Sequence, residues 1–289
     1  MPQVLLRSIA FGAFSLLSLV ACATMASGQS SEKRGRSLSM VPISAEINGE
    51  AYRLVLDTGS AVHGFADSLL EKVGANLGFA TVITPSGETS ERVFLVSSLE
   101  IGGLKSADSY AVSVDVPKIA HALDVDIQGI LGAQVLQMAP VLIRAGVEAT
   151  FKSDLDGFEA TGELHLALDQ FGRVHSNNIH FGDSQQFTLI DTGFLGCVTL
   201  SEPLFDGLVS VGEIRKVGIE NILTVNGEAS KESGVLASMR FGDLVLKDVP
   251  VLRSSSNTIG LRFLRNMDVV IDIKNQRLLF VKEHDDWDL

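Results

Sequence analysis

Short runs in which apolar and polar residues alternate recur from Met40 to about residue 281. The first run, at 41–47, ends at Asn48-Gly49, and a returning apolar run follows at 52–56. Alternation with a period of two predicts half-buried strands, and Asn-Gly between two such runs predicts a tight hairpin. Because this combination recurs along the chain, the pattern predicts a mainly β protein built from short strands.

Helical patterns are few and short, and they are predicted at 66–73, 117–123 and 201–211. A hairpin is predicted at 81–96, with its turn at Pro85-Ser86-Gly87 and a polar, exposed tip. The acidic, glycine-containing segment 154–162 predicts a boundary between a first half at 40–156 and a second half at 157–289.

The clearest signal is a motif that occurs twice. Residues 54–60 read Leu-Val-Leu-Asp-Thr-Gly-Ser, and residues 188–194 read Thr-Leu-Ile-Asp-Thr-Gly-Phe. Each copy has a matching downstream element, Ile130-Leu131-Gly132 for the first and Thr258-Ile259-Gly260 for the second. One Asp-Thr-Gly would indicate only a turn after a strand, but the paired elements predict an internal duplication with two diverged halves.

The N-terminal segment 1–22 has the features of a signal peptide, with Arg7 before a short apolar run. It ends at Leu19-Val20-Ala21-Cys22, which resembles a bacterial lipobox and predicts a lipid on Cys22. The alternative is simple cleavage near Ala23 or Ala26, which would discard Cys22. Residues 23–39 are polar and rich in Ser and Gly, so they are predicted to form a flexible tether.

Composition excludes several kinds of function. The chain has 289 residues, of which 46% are apolar and 20% charged, so it has room for a sizeable core. Its net charge of −12 argues against a nucleic-acid partner, because phosphate binding needs a basic face. The histidines show no zinc-site spacing, and no metal or other cofactor is predicted. Cys197 is interpreted as a small buried apolar residue.

The two Asp-Thr-Gly motifs, each with an apolar-apolar-Gly partner, resemble those of the aspartic proteases. The chain is similar to bacterial retropepsin-type enzymes, with two lobes fused in one chain as in pepsins, and the likeness spans 40–281. The resemblance implies a bilobal acid-protease fold, mainly β, with two retropepsin-like β-barrel lobes. Because both aspartate loops lie in one chain, the active unit is expected to be a monomer.

The same resemblance implies roles for individual residues. Asp57 and Asp191 would be the catalytic pair, and the hairpin at Pro85, Ser86 and Gly87 would be the flap, with an ordinary surface hairpin as the alternative. The supporting residues would be Thr58, Gly59, Ser60, Thr192 and Gly193. Ser60 is expected to donate a hydrogen bond to the outer oxygen of Asp57. Phe194 replaces the usual Ser or Thr, so the shared proton is expected on Asp191.

The sequence therefore predicts an aspartic endopeptidase that hydrolyses peptides or unfolded protein with a water activated by Asp57 and Asp191. One alternative is a catalytically silent, peptide-binding envelope lipoprotein with the same fold, and another is an envelope structural protein. The expected location is the periplasm, with the lipid on Cys22 as the sole membrane contact. Ala23 after Cys22 favours the outer over the inner membrane, and secretion to the periplasm without an anchor is the alternative.

Overall fold

The computed structural model describes residues 14–15, 20–22, 40–84, 87–106, 108–123, 125–145, 148–224 and 227–282. The predicted tether at 23–39, most of the predicted signal segment, Pro85, Ser86 and the C-terminal residues 283–289 lie outside this set. The protein is mainly β and two-lobed, as predicted. No helix within the described ranges is long and apolar enough to cross a membrane.

Strands account for most of the first lobe. Two short strands, β1 (Phe14–Ser15) and β2 (Val20–Cys22), precede it. Its own strands are β3 (Pro42–Ile47), β4 (Glu50–Asp57), β5 (His63–Phe65), β6 (Gly74–Thr84), β7 (Gly87–Val96), β8 (Leu99–Ile101), β9 (Leu104–Lys105), β10 (Ser109–Ser113) and β11 (Gly129–Gly132), followed by β12 (Val141–Arg144) and β13 (Glu148–Phe151). Its helices are α1 (Asp67–Val73), α2 (Val116–Leu123) and a 3₁₀ helix (Ala133–Gln137).

The second lobe repeats this order. Its strands are β14 (Gly162–Leu168), β15 (Val174–Phe181), β16 (Ser184–Asp191), β17 (Val198–Ser201), β18 (Ile214–Thr224), β19 (Gly227–Phe241), β20 (Leu244–Ser254), β21 (Thr258–Gly260), β22 (Met267–Asp272) and β23 (Arg277–Lys282). Its helices are α3 (Glu202–Ser210) and α4 (Leu261–Leu264). The irregular stretch between β13 and β14 contains the predicted boundary at 156/157.

The predicted first hairpin is confirmed, and its turn explains the Asn-Gly pair. Asn48 and Gly49 have φ values of 53° and 81°, which are the left-handed positions that a type I′ turn requires. Ile43, Ala45 and Ile47 on β3 are buried, while the residues between them are exposed. The period of two in the sequence therefore corresponds to one face on the core and one in water.

The second lobe closes into a barrel, and the first follows the same path with one interruption. In the second lobe β15, β16, β21, β17, β20 and β19 form a ring that closes when β19 pairs with β15. In the first lobe the counterpart of β19 is split into β7 and β8 at residues 97–98. The β8 piece closes the path by pairing Leu99 with Ile47, as Met239 pairs with Phe181 in the other lobe.

The two lobes join through a pair of equivalent strands. The antiparallel strands β12 and β22 pair Leu142 with Val270, the two residues that correspond in the sequence repeat. Their flanking partners β13 and β23 are also equivalent, so the order β13-β12-β22-β23 reads the same from either end. Equivalent strands that pair antiparallel about one residue pair imply an approximate two-fold axis through that point.

Candidate active site

Each Asp-Thr-Gly motif begins at the end of a strand buried on both faces. Leu54, Val55 and Leu56 lead to Asp57 at the end of β4, and the second copy ends in the same way at Asp191 on β16. The apolar-apolar-Gly strands run parallel to them, in a register that sets Gly132 opposite Asp57 and Gly260 opposite Asp191. The duplication seen in the sequence thus builds the same local support twice.

The two threonines lock the loops together across the lobe boundary. The Thr58 N–H donates to Thr192 Oγ1 at 3.1 Å, and the Thr192 N–H donates to Thr58 Oγ1 at the same distance. Each hydroxyl then donates to a carbonyl of the opposite lobe, Thr58 to Ile190 at 2.6 Å and Thr192 to Leu56 at 2.8 Å. The cross-lobe hydrogen bonds expected for these threonines are present.

The glycines of the two motifs bring each loop against the opposite aspartate. A Cβ atom added to Gly59 would lie 2.4 Å from Asp191 Cγ, and one added to Gly193 would lie 2.4 Å from Asp57 Cγ. Carbon atoms do not approach so closely, so only glycine fits at either position. Each carboxyl group therefore lies directly against the backbone of the other motif.

The two carboxylates have matching backbone donors. Asp57 Oδ1 accepts the N–H groups of Gly59 at 2.9 Å and Ser60 at 3.0 Å, and Asp191 Oδ1 accepts those of Gly193 at 2.9 Å and Phe194 at 3.1 Å. Both side chains are fully buried. Burial raises the pKa of Asp57 well above its usual range, and the charge of Asp191 raises it further, against the two N–H donors. Such a pair holds one proton between two carboxyl groups.

One expected hydrogen bond is absent. The Ser60 hydroxyl donates to the Val62 carbonyl at 2.7 Å, so the prediction that it donates to Asp57 is wrong. Asp57 Oδ2 receives no hydrogen bond from the N–H or hydroxyl groups of the described residues. The Phe194 ring packs against Gly260 and Ile222. The expected location of the shared proton on Asp191 had two grounds, the Ser60 donor and the apolar Phe194 ring, and the first of them is removed.

A comparison with known families agrees with this geometry. Residues 43–135 match a family model described as an aspartyl protease. The match contains the first Asp-Thr-Gly loop, the first hairpin and the β11 strand that supports Asp57. The second lobe lies outside the match, and its kinship with the first rests on the repeated strand order and register. No curated protein matches the chain.

Two long hairpins, rather than one, extend from the lobes of this aspartyl-protease-like chain. The predicted hairpin at 81–96 is the outer part of β6–β7, which begins earlier, at Gly74; Gly87 starts its second strand, and Pro85 and Ser86 lie outside the described residues. The pair β18–β19 is its counterpart, because both pairs shift register at equivalent places, before Gly78 and before Gly218. The sequence also predicts this second hairpin, at 223–231 with its turn at Asn226-Gly227; Gly227 begins β19, and Asn226 lies outside the described residues.

His63 lies six residues after Asp57 and is fully buried beside the first motif. Its Nδ1 atom accepts the Gly132 N–H at 3.1 Å, and burial lowers its pKa to about 4. A single histidine near a motif carries no periodic signal, so only the packing could reveal this contact. Cys197, in contrast, is buried in the apolar core as predicted.

Proposed function

We propose that the protein is an aspartic endopeptidase that uses Asp57 and Asp191 to activate water. The observation that carries this proposal is the facing pair of buried carboxylates, each in contact with the glycine of the opposite motif. Reciprocal threonine hydrogen bonds hold the loops rigid, so the two acids keep a fixed separation. A preorganised acid pair of this kind is suited to proton transfer at a peptide carbonyl.

In the proposed reaction the two carboxyl groups share one proton, which is the known behaviour of aspartic-protease dyads. The ionised partner takes a proton from water, whose oxygen attacks the peptide carbonyl carbon. The protonated partner donates its proton to the carbonyl oxygen, and a neutral tetrahedral intermediate forms. When the C–N bond breaks, the carboxyl group that took the water's proton donates it to the leaving nitrogen, a hydroxyl of the intermediate returns its proton to the other carboxylate as the new carboxyl product forms, and the dyad again holds one proton.

The proposed substrate is an extended peptide held between the two hairpins. The edge of β6 pairs with β1 in parallel, Phe14 opposite Val82, whereas the edge of β18 pairs with β2 antiparallel, Cys22 opposite Ile222. Val82 and Ile222 occupy equivalent places on the two hairpins. One extended segment that crosses a two-fold axis must run parallel to one hairpin and antiparallel to the other. Both edges therefore suit a single extended peptide.

Both aspartates are fully buried, and residues 14–15 and 20–22 lie along the hairpin edges that the proposed peptide would occupy. The test is cleavage of unstructured peptides from about pH 3 to about pH 7 by the chain from Met40 onward, with and without a statine-type transition-state mimic. Asp57→Asn and Asp191→Asn should each lower kcat by at least about 100-fold, and the exposed Asp108→Asn should not.

The same experiment separates the alternatives. If the statine mimic raises the melting temperature but no peptide is cleaved, the cleft binds peptides without catalysis. If the mimic neither binds nor inhibits, both peptide-directed functions are wrong and a structural role in the envelope remains. Since both motif loops lie in one chain, activity should follow the monomer in sedimentation, and activity confined to a dimer would contradict the fused-lobe proposal.

We also propose that a lipid on Cys22 anchors the protein in the periplasm, at the outer membrane. The support is the sequence Leu19-Val20-Ala21-Cys22, followed by a polar segment of tether composition before the fold begins near Met40. Cys22→Ser should abolish lipid labelling and move the protein to the soluble fraction. Mature protein with a free N-terminus beyond Ala23 would show that the lipid proposal is wrong and that secretion without an anchor is correct.

A further inference from the structure

The two lobes support their glycine strands with different acceptors. In the second lobe the Gly260 N–H donates to the backbone carbonyl of Cys197 at 2.8 Å. In the first lobe the corresponding Gly132 N–H donates to the Nδ1 atom of His63 at 3.1 Å. Cys197 and His63 stand at the same position after their respective aspartates. A side chain in one lobe thus takes the place of a backbone carbonyl in the other.

This difference arises in the pairing of the neighbouring strands. In the second lobe β17 pairs Val198 with Ile259, next to the dyad. In the first lobe β5 pairs Gly64, the counterpart of Val198, with Ile130. The counterpart of Ile259 is Leu131, so the pairing is shifted by one residue away from the motif. In the first lobe this ladder ends at Ile130, and the Gly132 N–H donates to the His63 imidazole instead of to a ladder carbonyl.

Gly132 is a sensitive place for such a contact. It lies opposite Asp57 in the parallel register, and a Cβ atom there would come within 2.2 Å of the Val62 carbonyl oxygen. The next residue, Ala133, donates to the Ser60 carbonyl at 2.7 Å. The strand and the motif loop are thus closely packed. A shift of the strand after loss of the hydrogen bond at Gly132 would therefore also displace the backbone that carries Asp57.

The direction of the hydrogen bond fixes the chemical form of His63. A ring nitrogen that accepts a backbone N–H must itself be unprotonated, so the imidazole is neutral and carries its proton on Nε2. The Nε2 atom is buried and has no hydrogen-bond partner in the described residues. An imidazolium would lose the Gly132 acceptor and add a buried charge, both of which are unfavourable.

We infer that His63 is a positioning residue of the dyad: its neutral imidazole accepts the Gly132 N–H and so fixes the strand that supports Asp57. His63 does not touch the substrate or transfer a proton in this role. Its protonation would release Gly132 and disorder only the first half of the site. The inference rests on the proposed function for its activity readout alone, because its stability and spectroscopic readouts need no catalysis.

The surroundings of His63 support a pH signature. The neighbouring elements carry as ionisable groups Asp57 in the motif loop, Tyr110 on β10 and the acids and lysine of α1. Burial, rather than any of these charges, lowers the pKa of His63 to about 4. Between the unfolded value near 6.5 and about 4, only the unfolded chain gains this proton, so stability falls as the pH drops through that window.

The test compares two substitutions. His63→Asn keeps an acceptor near the Nδ1 position but cannot titrate, whereas His63→Leu keeps the apolar volume without an acceptor. We expect His63→Leu to lower kcat by about tenfold with little change in KM, and His63→Asn to restore most of it. Below about pH 4, His63→Asn should retain more of its own maximal rate than the wild type does. The control is His175→Asn, which removes another buried histidine of lowered pKa and should leave kcat unchanged.

Three outcomes would overturn the inference. The first is a folded His63→Leu variant with the wild-type rate and pH profile. The second is a folded His63→Asn variant as slow as His63→Leu. The third, which needs neither catalysis nor a variant, is a nitrogen NMR spectrum at neutral pH that places the His63 proton on Nδ1. If wild-type protein cleaves nothing, the proposed function fails, while the NMR result and the pH dependence of unfolding still decide the role of His63.

Discussion

The two lobes are nearly identical in the motif loops where they meet, and they differ in the residues that pack behind those loops. Around the carboxylates the threonine and glycine contacts match bond for bond, within 0.2 Å for every corresponding pair. Behind them, His63 replaces a backbone carbonyl as acceptor, and the position of Ser60 in the first lobe is occupied by Phe194 in the second. Backbone groups and the two threonine hydroxyls thus preserve the symmetry at the dyad, whereas the side chains at His63, Ser60 and Phe194 differ between the lobes.

The largest expected effect comes from removing a charge of the dyad. Because the pKa of Asp57 is raised in the folded state, the folded chain keeps a proton that the unfolded chain loses as the pH rises from about 4. The stability linked to that proton is therefore present in acid and is lost as the pH rises through the folded pKa. Asp57→Asn should stop turnover yet raise the melting temperature at neutral pH, with the gain disappearing in acid. An unchanged or lower melting temperature at neutral pH would contradict this account.

Alanine at either motif glycine should be nearly as damaging. The new methyl group of Gly59→Ala or Gly193→Ala would overlap the opposite carboxyl group, which costs about 1–3 kcal/mol in overpacking and displaces the acid. The matched control is Gly207→Ala on α3, where an added Cβ meets nothing within 4 Å and the helix should gain up to about 1 kcal/mol. Denaturant unfolding and peptide cleavage measure both effects. Clearly unequal losses of stability or cleavage rate in the two alanine variants would show that the two halves of the dyad are not equivalent.

The threonine pair tests whether the lobes contribute equally to their junction. Thr58→Val and Thr192→Val each leave a buried N–H and a buried carbonyl without a partner, at a cost of about 1–3 kcal/mol per group. Thr58→Ser and Thr192→Ser keep the hydroxyl and should lose much less. Denaturant unfolding should give equal costs for the two valine variants within about 0.5 kcal/mol. A large difference between the two losses of unfolding free energy would mean that one threonine contributes more than the other to the junction of the lobes.

These comparisons show what the sequence could and could not reveal. The period-two runs and the Asn48-Gly49 turn predicted β3 and β4 because both signals are local. The repeated Asp-Thr-Gly predicted the paired loops because a duplication preserves spacing. The Ser60 hydrogen bond was predicted wrongly because a hydroxyl can rotate to either of two nearby acceptors. The His63 contact depends on a one-residue difference in strand register, which no local pattern encodes.

A smaller effect is expected where side chains beside the dyad differ. The Ser60 hydroxyl binds the Val62 carbonyl and not a carboxylate, so Ser60→Ala should cost about 1 kcal/mol and leave both limbs of the pH–rate profile unmoved. Phe194→Leu in the other lobe should cost more, since it leaves a cavity beside Ile222, and should also leave the limbs unmoved. A shift of the acidic limb in Ser60→Ala would show that the Ser60 hydroxyl donates to Asp57 and would contradict its hydrogen bond to Val62.

The smallest effects concern the ion pairs that tie each hairpin to a helix. In the first lobe Arg92, on the second strand of the hairpin, binds Asp67 at 2.6 Å and Glu71 at 3.3 Å, both on α1. In the second lobe the equivalent hairpin residue is Glu232, which binds Lys216 of β18 at 2.8 Å, and a second cation comes from the next strand. There Arg253 binds Glu232 at 3.5 Å together with two acids of α3, Glu202 and Asp206. The same junction thus carries its positive charge on different strands.

Exposed ion pairs contribute little and are screened by salt, so single substitutions should have modest effects. Arg253→Ser removes a cation that contacts three acids, of which Glu232 alone keeps another partner in Lys216, and it should lower the melting temperature at low salt more than Arg92→Ser does. The place of Arg253 is taken in the first lobe by Ser113, opposite Arg92 in the strand register. Asn76 stands in the first lobe where Lys216 stands in the second, so Glu232→Arg combined with Arg253→Ser and Lys216→Asn rebuilds the first lobe's arrangement and should recover the stability lost in Arg253→Ser. If this exchange gives no recovery at low salt, the two junctions are not equivalent and the similarity of the lobes ends at the dyad.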